Sequence, residues 1–187
     1  MIAQLDPQTV QNLDLFAGMS EADISEILNA CQQFNYPAGA TIYESGQEQR
    51  SLCILLEGAL QVDLEVPKVG ERVIVDLAPP SVFGEMSFFH PAPHSATVKC
   101  VQDAQVLCLD RANFDLLLAS GSRAAARLAV NAAALLAARL ATTDEWVAQV
   151  LEEQQTARIR DKWREFRAGM NRAFQYPRGM IGVGTGF

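Results

Sequence analysis

Between Phe34 and Asp110 the chain is broken into apolar runs too short for helices. Ala40 to Tyr43, Ser51 to Leu56, Ala59 to Val66, Arg72 to Leu77, Thr97 to Val101 and Ala104 to Leu109 each read as a strand. Turn signals separate them: Ser45-Gly46-Gln47, Glu57-Gly58, and the stretch Pro67 to Glu71. Short strands at regular spacing, punctuated by Gly and Pro, predict a β-sandwich or a barrel. Gly46 and Gly58 are expected to supply positive φ at their turns, a structural role.

One stretch in this region does not read as plain strand and turn. Residues 83–98 run Phe83, Gly84, Glu85, Met86, Ser87, Phe88, Phe89, His90, Pro91, Ala92, Pro93, His94, Ser95, Ala96, Thr97, Val98. The pattern predicts a strand end, a Gly turn, one helical turn, a Pro-bracketed loop and a returning strand. Gly84 permits a close backbone approach. The backbone N–H groups that open the helical turn can converge on an anion. The Glu85 carboxylate can accept hydrogen bonds from sugar hydroxyls, and the Ser95 hydroxyl is placed to join the same turn. A carboxylate for a hydroxyl beside amides for a phosphate is a layout that suits a nucleotide.

These residues resemble the phosphate-binding cassette of cyclic-nucleotide-binding domains, the family of bacterial catabolite activators and protein kinase A regulatory subunits. Its motif runs Phe-Gly-Glu-(Leu/Met)-Ala/Ser and, after a gap, Arg-(Ser/Ala)-Ala-Thr-Val. Phe83, Gly84, Glu85, Met86, Ser87, Ser95, Ala96, Thr97 and Val98 match it. The resemblance implies an α+β fold: an eight-stranded antiparallel jelly roll flanked by N-terminal helices and a long C-terminal helix. It also implies cAMP or cGMP as ligand, without a metal. His94 departs from the pattern, because it stands where the family places its phosphate-binding Arg. An Arg holds phosphate with a planar fork of donors and a permanent charge. A neutral imidazole offers one N–H, and its reference pKa is about 6.5.

The flanks read as helices. Residues 7–18 and 20–31 carry apolar residues at helical spacing, with Ser20 as an N-cap. Asp110 is placed to cap a helix from Arg111 to Ala119, ended by Gly121. Residues 123–151 contain no Gly or Pro and are rich in Ala, Leu and Arg. The resemblance makes this last helix the one that pairs two subunits into a homodimer and lids the ligand. Thr143 matches one member of a Thr-Ser pair that contacts the base in catabolite activators, and Asp144 does not match the other. The expected organisation is N-terminal helices over 1–33, a jelly-roll core over 34–110, C-terminal helices over 111–151, and a basic amphipathic helix with a Gly-rich tail over 152–187.

The net charge is −7, which argues against bulk nucleic-acid binding. It is uneven: residues 156–187 hold seven basic and two acidic residues, net +5, which leaves −12 for residues 1–155. Ile159, Trp163, Phe166, Met170 and Phe174 fall on one helical face, which can fold back on the domain, dock a protein partner, or lie on a membrane. Past Leu151 only 36 residues remain, too few for a three-helix DNA-binding domain, so direct DNA binding is disfavoured. No basic n-region with an apolar h-region opens the chain, and no uninterrupted apolar run reaches membrane length. Cytoplasmic residence is expected, and a membrane association is not. Cys31, Cys53, Cys100 and Cys108 lack C-x-x-C spacing and read as reduced core thiols. His90 and His94 are separated by two prolines and complete no metal site. No catalytic motif is present, so an enzyme is not expected. Two functions stay open: a ligand-gated regulatory module that senses cAMP, cGMP or a related small anion and relays it through the long C-terminal helix, or a scaffold that kept the fold, lost the ligand and docks a partner through its basic C-terminal segment.

Overall fold

The computed structural model describes residues 6–65, 72–154, 162–163 and 165–166. Residues 6–137 and those from 138 onward fall into two compact units, Met1–Ala137 and Ala138–Phe187. The first holds eight antiparallel strands: β1 (Gln32–Tyr36), β2 (Thr41–Tyr43), β3 (Ser51–Glu57), β4 (Leu60–Glu65), β5 (Arg72–Leu77), β6 (Ser81–Phe83), β7 (Thr97–Cys100) and β8 (Ala104–Asp110). They form two four-stranded sheets with orders β1-β8-β3-β6 and β2-β7-β4-β5. Sequence neighbours lie in different sheets except at β4-β5, so this is the expected jelly roll. Helices are α1 (Glu21–Asn29), α2 (Glu85–Phe89), α3 (Arg111–Ala119) and α4 (Arg123–Gln154).

Alternation along β3 and β8 builds two cores. Cys53 and Leu55, with Ala104, Val106 and Cys108, turn inward to meet Tyr43, Leu60, Phe83, Val98 and Cys100 between the sheets. Leu52 and Ile54, with Leu107 and Leu109, turn outward and are covered by α1, α2, α3 and the start of α4. Both faces of these strands are therefore buried, which explains their unbroken apolar runs. At the β3–β4 turn Gly58 adopts φ 90°, and a Cβ there would sit 2.2 Å from the Asp103 carbonyl oxygen. Gly is required on both counts.

The expected helix over 7–18 is instead two short 3-10 turns, Pro7–Thr9 and Asp14–Phe16. Pro7 follows an Asp6 cap whose carboxylate accepts from Gln8 N at 2.9 Å, and Gly18 at φ 66° ends the segment. Ser20 does cap α1, and Asp23 closes a reciprocal capping box with it. One strand, β1, escaped the reading of residues, and of β6 only the end at Phe83 was read. Both β1, with Gln32, Gln33 and Asn35, and the three-residue β6 are sheet edges, where the apolar signal is weakest.

Two of the four cysteines are not reduced thiols. Cys53 and Cys108 lie directly opposite in the β3–β8 register, Cα–Cα 4.2 Å, and form a disulfide. A separation of 55 residues hides such a pair until the register is known. Cys31 and Cys100 are free, and burial pushes the Cys31 thiol up to about 12.

In α4, Ala124, Ala125, Leu128 and Ala132 are buried in the outer core. Arg123–Val150 is long and apolar enough by length and composition to cross a membrane. Its first half is nonetheless a core helix, tied by Asn131 Nδ2, which donates to the Leu15 and Ala17 carbonyls at 3.0 Å each. Of the basic C-terminal segment only residues 162–163 and 165–166 are described, with Trp163 stacked on Phe166 at 5.3 Å. The Gly-rich end lies outside the described residues.

Phe114 of α3 is the pivot of the outer core: its ring packs edge-on against Phe88 (5.2 Å) and Phe89 (6.0 Å) of α2. Phe114→Ala is expected to destabilise by about 3–5 kcal/mol. Leu116→Ala, at a position 68% exposed, should fall within about 0.5 kcal/mol. Urea unfolding of the two variants distinguishes them, and equal losses would contradict this packing.

Candidate functional site

The candidate site is built on α2, which is only five residues long. A helix this short does not form alone, so its neighbours must hold it. Gly84 is its N-cap at φ 80°, ψ 0°. A Cβ on Gly84 would lie 2.5 Å from the Ser51 carbonyl oxygen and 3.0 Å from Tyr43 Cε2. The backbone thus presses on β2 and β3 at a point where no side chain fits. At the other end, the carbonyls that the last helical turn leaves open are taken by two guanidinium groups. Arg50 donates from Nε to Ser87 O (3.3 Å) and from Nη2 to Phe88 O (3.0 Å), and Arg111 Nη1 donates to Phe88 O at 2.9 Å. Arg111 also lies over the Phe88 and Phe114 rings at 5.6 Å and pairs with Asp115 at 2.8 Å.

The return loop is fixed by backbone pairing with the β2–β3 turn. Gly46 N donates to His94 O (2.9 Å), His94 N donates to Gln47 O (2.9 Å), and Ser45 N donates to Thr97 Oγ1 (3.1 Å). His94 is therefore held from both sides of its peptide unit. Its imidazole is 9% exposed, stacks on the Tyr43 ring at 4.1 Å and 18°, and brings Nδ1 to 3.2 Å from Ser87 Oγ. Nε2 is buried without a hydrogen-bond partner. Burial pushes the His94 pKa below its ordinary value, so the ring is neutral near pH 7.

Two tautomers satisfy the Ser87–His94 contact. If the Ser87 hydroxyl donates to Gly84 O at 3.2 Å, it accepts from Nδ1–H, and Nε2 presents a lone pair. If the hydroxyl turns to donate to Nδ1, Nε2 carries the proton and becomes a buried donor. A rotation of this hydroxyl, together with a shift of the ring proton from Nδ1 to Nε2, thus converts Nε2 from an acceptor into a donor that suits an anion.

The structure brings Phe83, Gly84, Glu85, Ser87 and His94 together. Phe83 is buried, edge-on to Tyr43 at 5.7 Å. Glu85 is buried at 5% exposure, an unusual setting for a carboxylate. Met86 points outward at 62% exposure. Ser95 is exposed and Ala96 half-buried; the hydroxyl that meets His94 is that of Ser87. Thr143 belongs to the second compact unit, and its hydroxyl donates to Arg139 O at 2.9 Å. Among the described residues no three metal-ligating side chains cluster.

Two contributors went unread in the sequence. Tyr43 looked like one more strand residue, and only the fold puts its ring under His94. Arg50 sits in a turn, with no pattern to connect it to carbonyls 37 and 38 residues away.

Comparison with known proteins gives the same assignment from outside. Residues 33–120 match the cyclic nucleotide-binding domain family model. The chain is 31% identical over 130 residues to a cyclic AMP receptor protein of Thermus thermophilus, a match covering 70% of this chain and 58% of that protein. It is 24% identical over 97 residues to a CRP-like cAMP-activated global transcriptional regulator of Mycobacterium tuberculosis, covering 52% of this chain and 43% of the regulator. The crystal structure of the Thermus thermophilus catabolite activator protein superposes with a TM-score of 0.67 at 28% identity, over 73% of this chain and 62% of that one. The chain thus spans about half the length of these two curated relatives. With the two-sheet jelly roll, the Gly84-capped helix and the family model all falling on the same segment, residues 33–120 of the chain are a cyclic nucleotide-binding domain.

Proposed function

We propose that this chain is a regulatory protein that binds a cyclic nucleotide, cAMP or cGMP, at the segment 83–96, and relays occupancy through α4. The observation that carries the reading is the buried His94 ring, whose Nε2 has no partner in the protein. An unsatisfied buried nitrogen costs roughly 1–3 kcal/mol, and a phosphate oxygen arriving there relieves it. Glu85 serves the sugar hydroxyls, and the amides that follow Gly84 serve the phosphate. Phe83, Met86, Ser95 and Ala96 shape the segment, and Thr143 is the candidate contact to the base. The protein's relatives named here are a receptor and a transcriptional regulator, which supports a regulatory rather than a catalytic role. The fit involves no metal.

A second reading draws on the same ring. His94 is stacked on Tyr43 and bonded to Ser87, so it also serves as a core side chain. A scaffold that has lost its ligand and binds a protein partner through residues 156–187 is the alternative.

Calorimetry with cAMP and cGMP decides between them. His94→Arg is expected to raise affinity roughly 10- to 100-fold, the worth of one charge-assisted contact. If the folded variant shows no binding at millimolar ligand, the scaffold reading replaces this one.

Wild-type affinity should also depend on pH. Burial depresses the free ring's pKa, and a bound phosphate raises it, so proton uptake accompanies binding. Affinity should therefore rise as pH falls from about 7.5 to 6. Stability of the free protein runs the other way: the unfolded chain protonates first, so stability present above about 6.5 is lost as pH falls below it. A flat binding profile would remove His94 from the ligand site.

Homodimerisation through α4 is proposed from its outward face. Ala126, Val130, Ala133, Ala137 and Leu140 repeat at alternating spacings of four and three and are all exposed. Light scattering at tens of micromolar is expected to give twice the chain mass; a monomer would refute the pairing.

A further inference from the structure

The Cys53–Cys108 bond is buried but not sealed. A cavity of about 260 Å³ opens between the sheets along β1 and β2, lined by Phe34, Tyr36, Ile42, Tyr43, Ser51 and Cys108, among others. Cys108 is on its wall at 9% exposure, whereas Cys53 is at 0%. The cavity wall includes Cys108 and not Cys53, so a small molecule in the cavity meets Cys108 first.

Behind the bond stands Tyr43. Its hydroxyl lies 2.9 Å from Cys53 Sγ and 3.0 Å from the Ser51 carbonyl oxygen. A disulfide sulfur has no proton to give, so the phenol is the donor to both. The same ring stacks on His94 and bears on Gly84. One side chain thus touches the disulfide at its tip and the cassette on its face.

We propose that Cys108 is a thiol-exchange site for small thiols that enter this cavity, and that Tyr43 carries its redox state to His94. The chemistry is an ordinary exchange. An incoming thiolate attacks Cys108 Sγ, the Sγ–Sγ bond breaks, and Cys53 leaves as a thiolate. A mixed disulfide of Cys108 and the small thiol results. A second thiol then attacks the small-thiol sulfur, releasing the small disulfide and the Cys108 thiolate; both protein thiolates take up the protons lost by the two small thiols. Two electrons pass from the small thiols to the protein. Tyr43 assists at the leaving sulfur: its hydroxyl keeps its proton, since burial pushes the phenol up, and it strengthens its hydrogen bond as Cys53 gains negative charge. When that hydroxyl moves from Ser51 O toward Cys53, the ring against His94 moves with it. In a reducing compartment a disulfide that persists is more often a sensor than a structural bond.

The test uses the full chain, oxidised in air or with an oxidised small thiol, and 2-mercaptoethanol as probe. Mass spectrometry of acid-quenched, alkylated protein is expected to find the mixed disulfide on Cys108 and not on Cys53, under conditions where circular dichroism reports a folded chain. Tyr43→Phe is expected to slow the cleavage roughly tenfold, the lower end of a hydrogen bond to a charged group. The wild-type imidazole NMR signals of His94 are expected to shift between the oxidised and reduced folded forms, while those of exposed His90 stay fixed. Each readout is independent of any nucleotide. The adduct on Cys53, exchange only after denaturation, failure of the bond to form under oxidant, or a His94 signal indifferent to reduction would each overturn the proposal. Should Tyr43→Phe fail to fold, the adduct position and the two histidine signals in the wild type carry the test.

Discussion

The site depends on two guanidinium groups closing the end of a five-residue helix. Helix α2 has one turn of its own hydrogen bonding, too little to overcome the ordering of its backbone. Arg50 and Arg111 bind the carbonyls of Ser87 and Phe88, and the Phe88–Phe114 contact seats its buried face. One arginine comes from the β2–β3 turn and the other from the first residue of α3. The helix is therefore placed by the sheet and by the C-terminal helices at once. A site resting on both registers any shift of one against the other.

The fold was largely legible because its strands are short, apolar and bounded by turn residues. The strand that was missed, β1, and the one read only at its end, β6, lie at sheet edges. There Gln, Asn and a three-residue length replace the apolar signal. The helix expected over 7–18 failed for a local reason: a proline at its start, a glycine at its end and an Asp6 cap that favours a tight turn. The site was legible only where it is contiguous. Gly84 to Ser87 and His94 could be found along the chain. Tyr43, Arg50 and the cysteine pairing could not, because each joins residues that only the sheet register brings together.

Under the proposed reading, a histidine at position 94 leaves the fold intact and changes the chemistry of the site. The backbone bonds that fix the loop, from Gly46 and to Gln47, are indifferent to the side chain at that position. The imidazole then finds a flat partner in Tyr43 and a hydroxyl in Ser87. An arginine would bring a charge that remains at every accessible pH. Histidine makes the charge conditional, and burial makes the condition stricter.

The side chain of Asn131 has a consequence for how α4 can move. Its amide nitrogen holds the carbonyls of both Leu15 and Ala17, so one side chain ties the fourth helix to the short turn Asp14–Phe16 and the residue after it. Because one amide serves both carbonyls, sliding the helix along its axis by a turn would break the two bonds together. The segment around Leu15 and Ala17 thereby acts as a stop that sets the axial position of the helix against the domain.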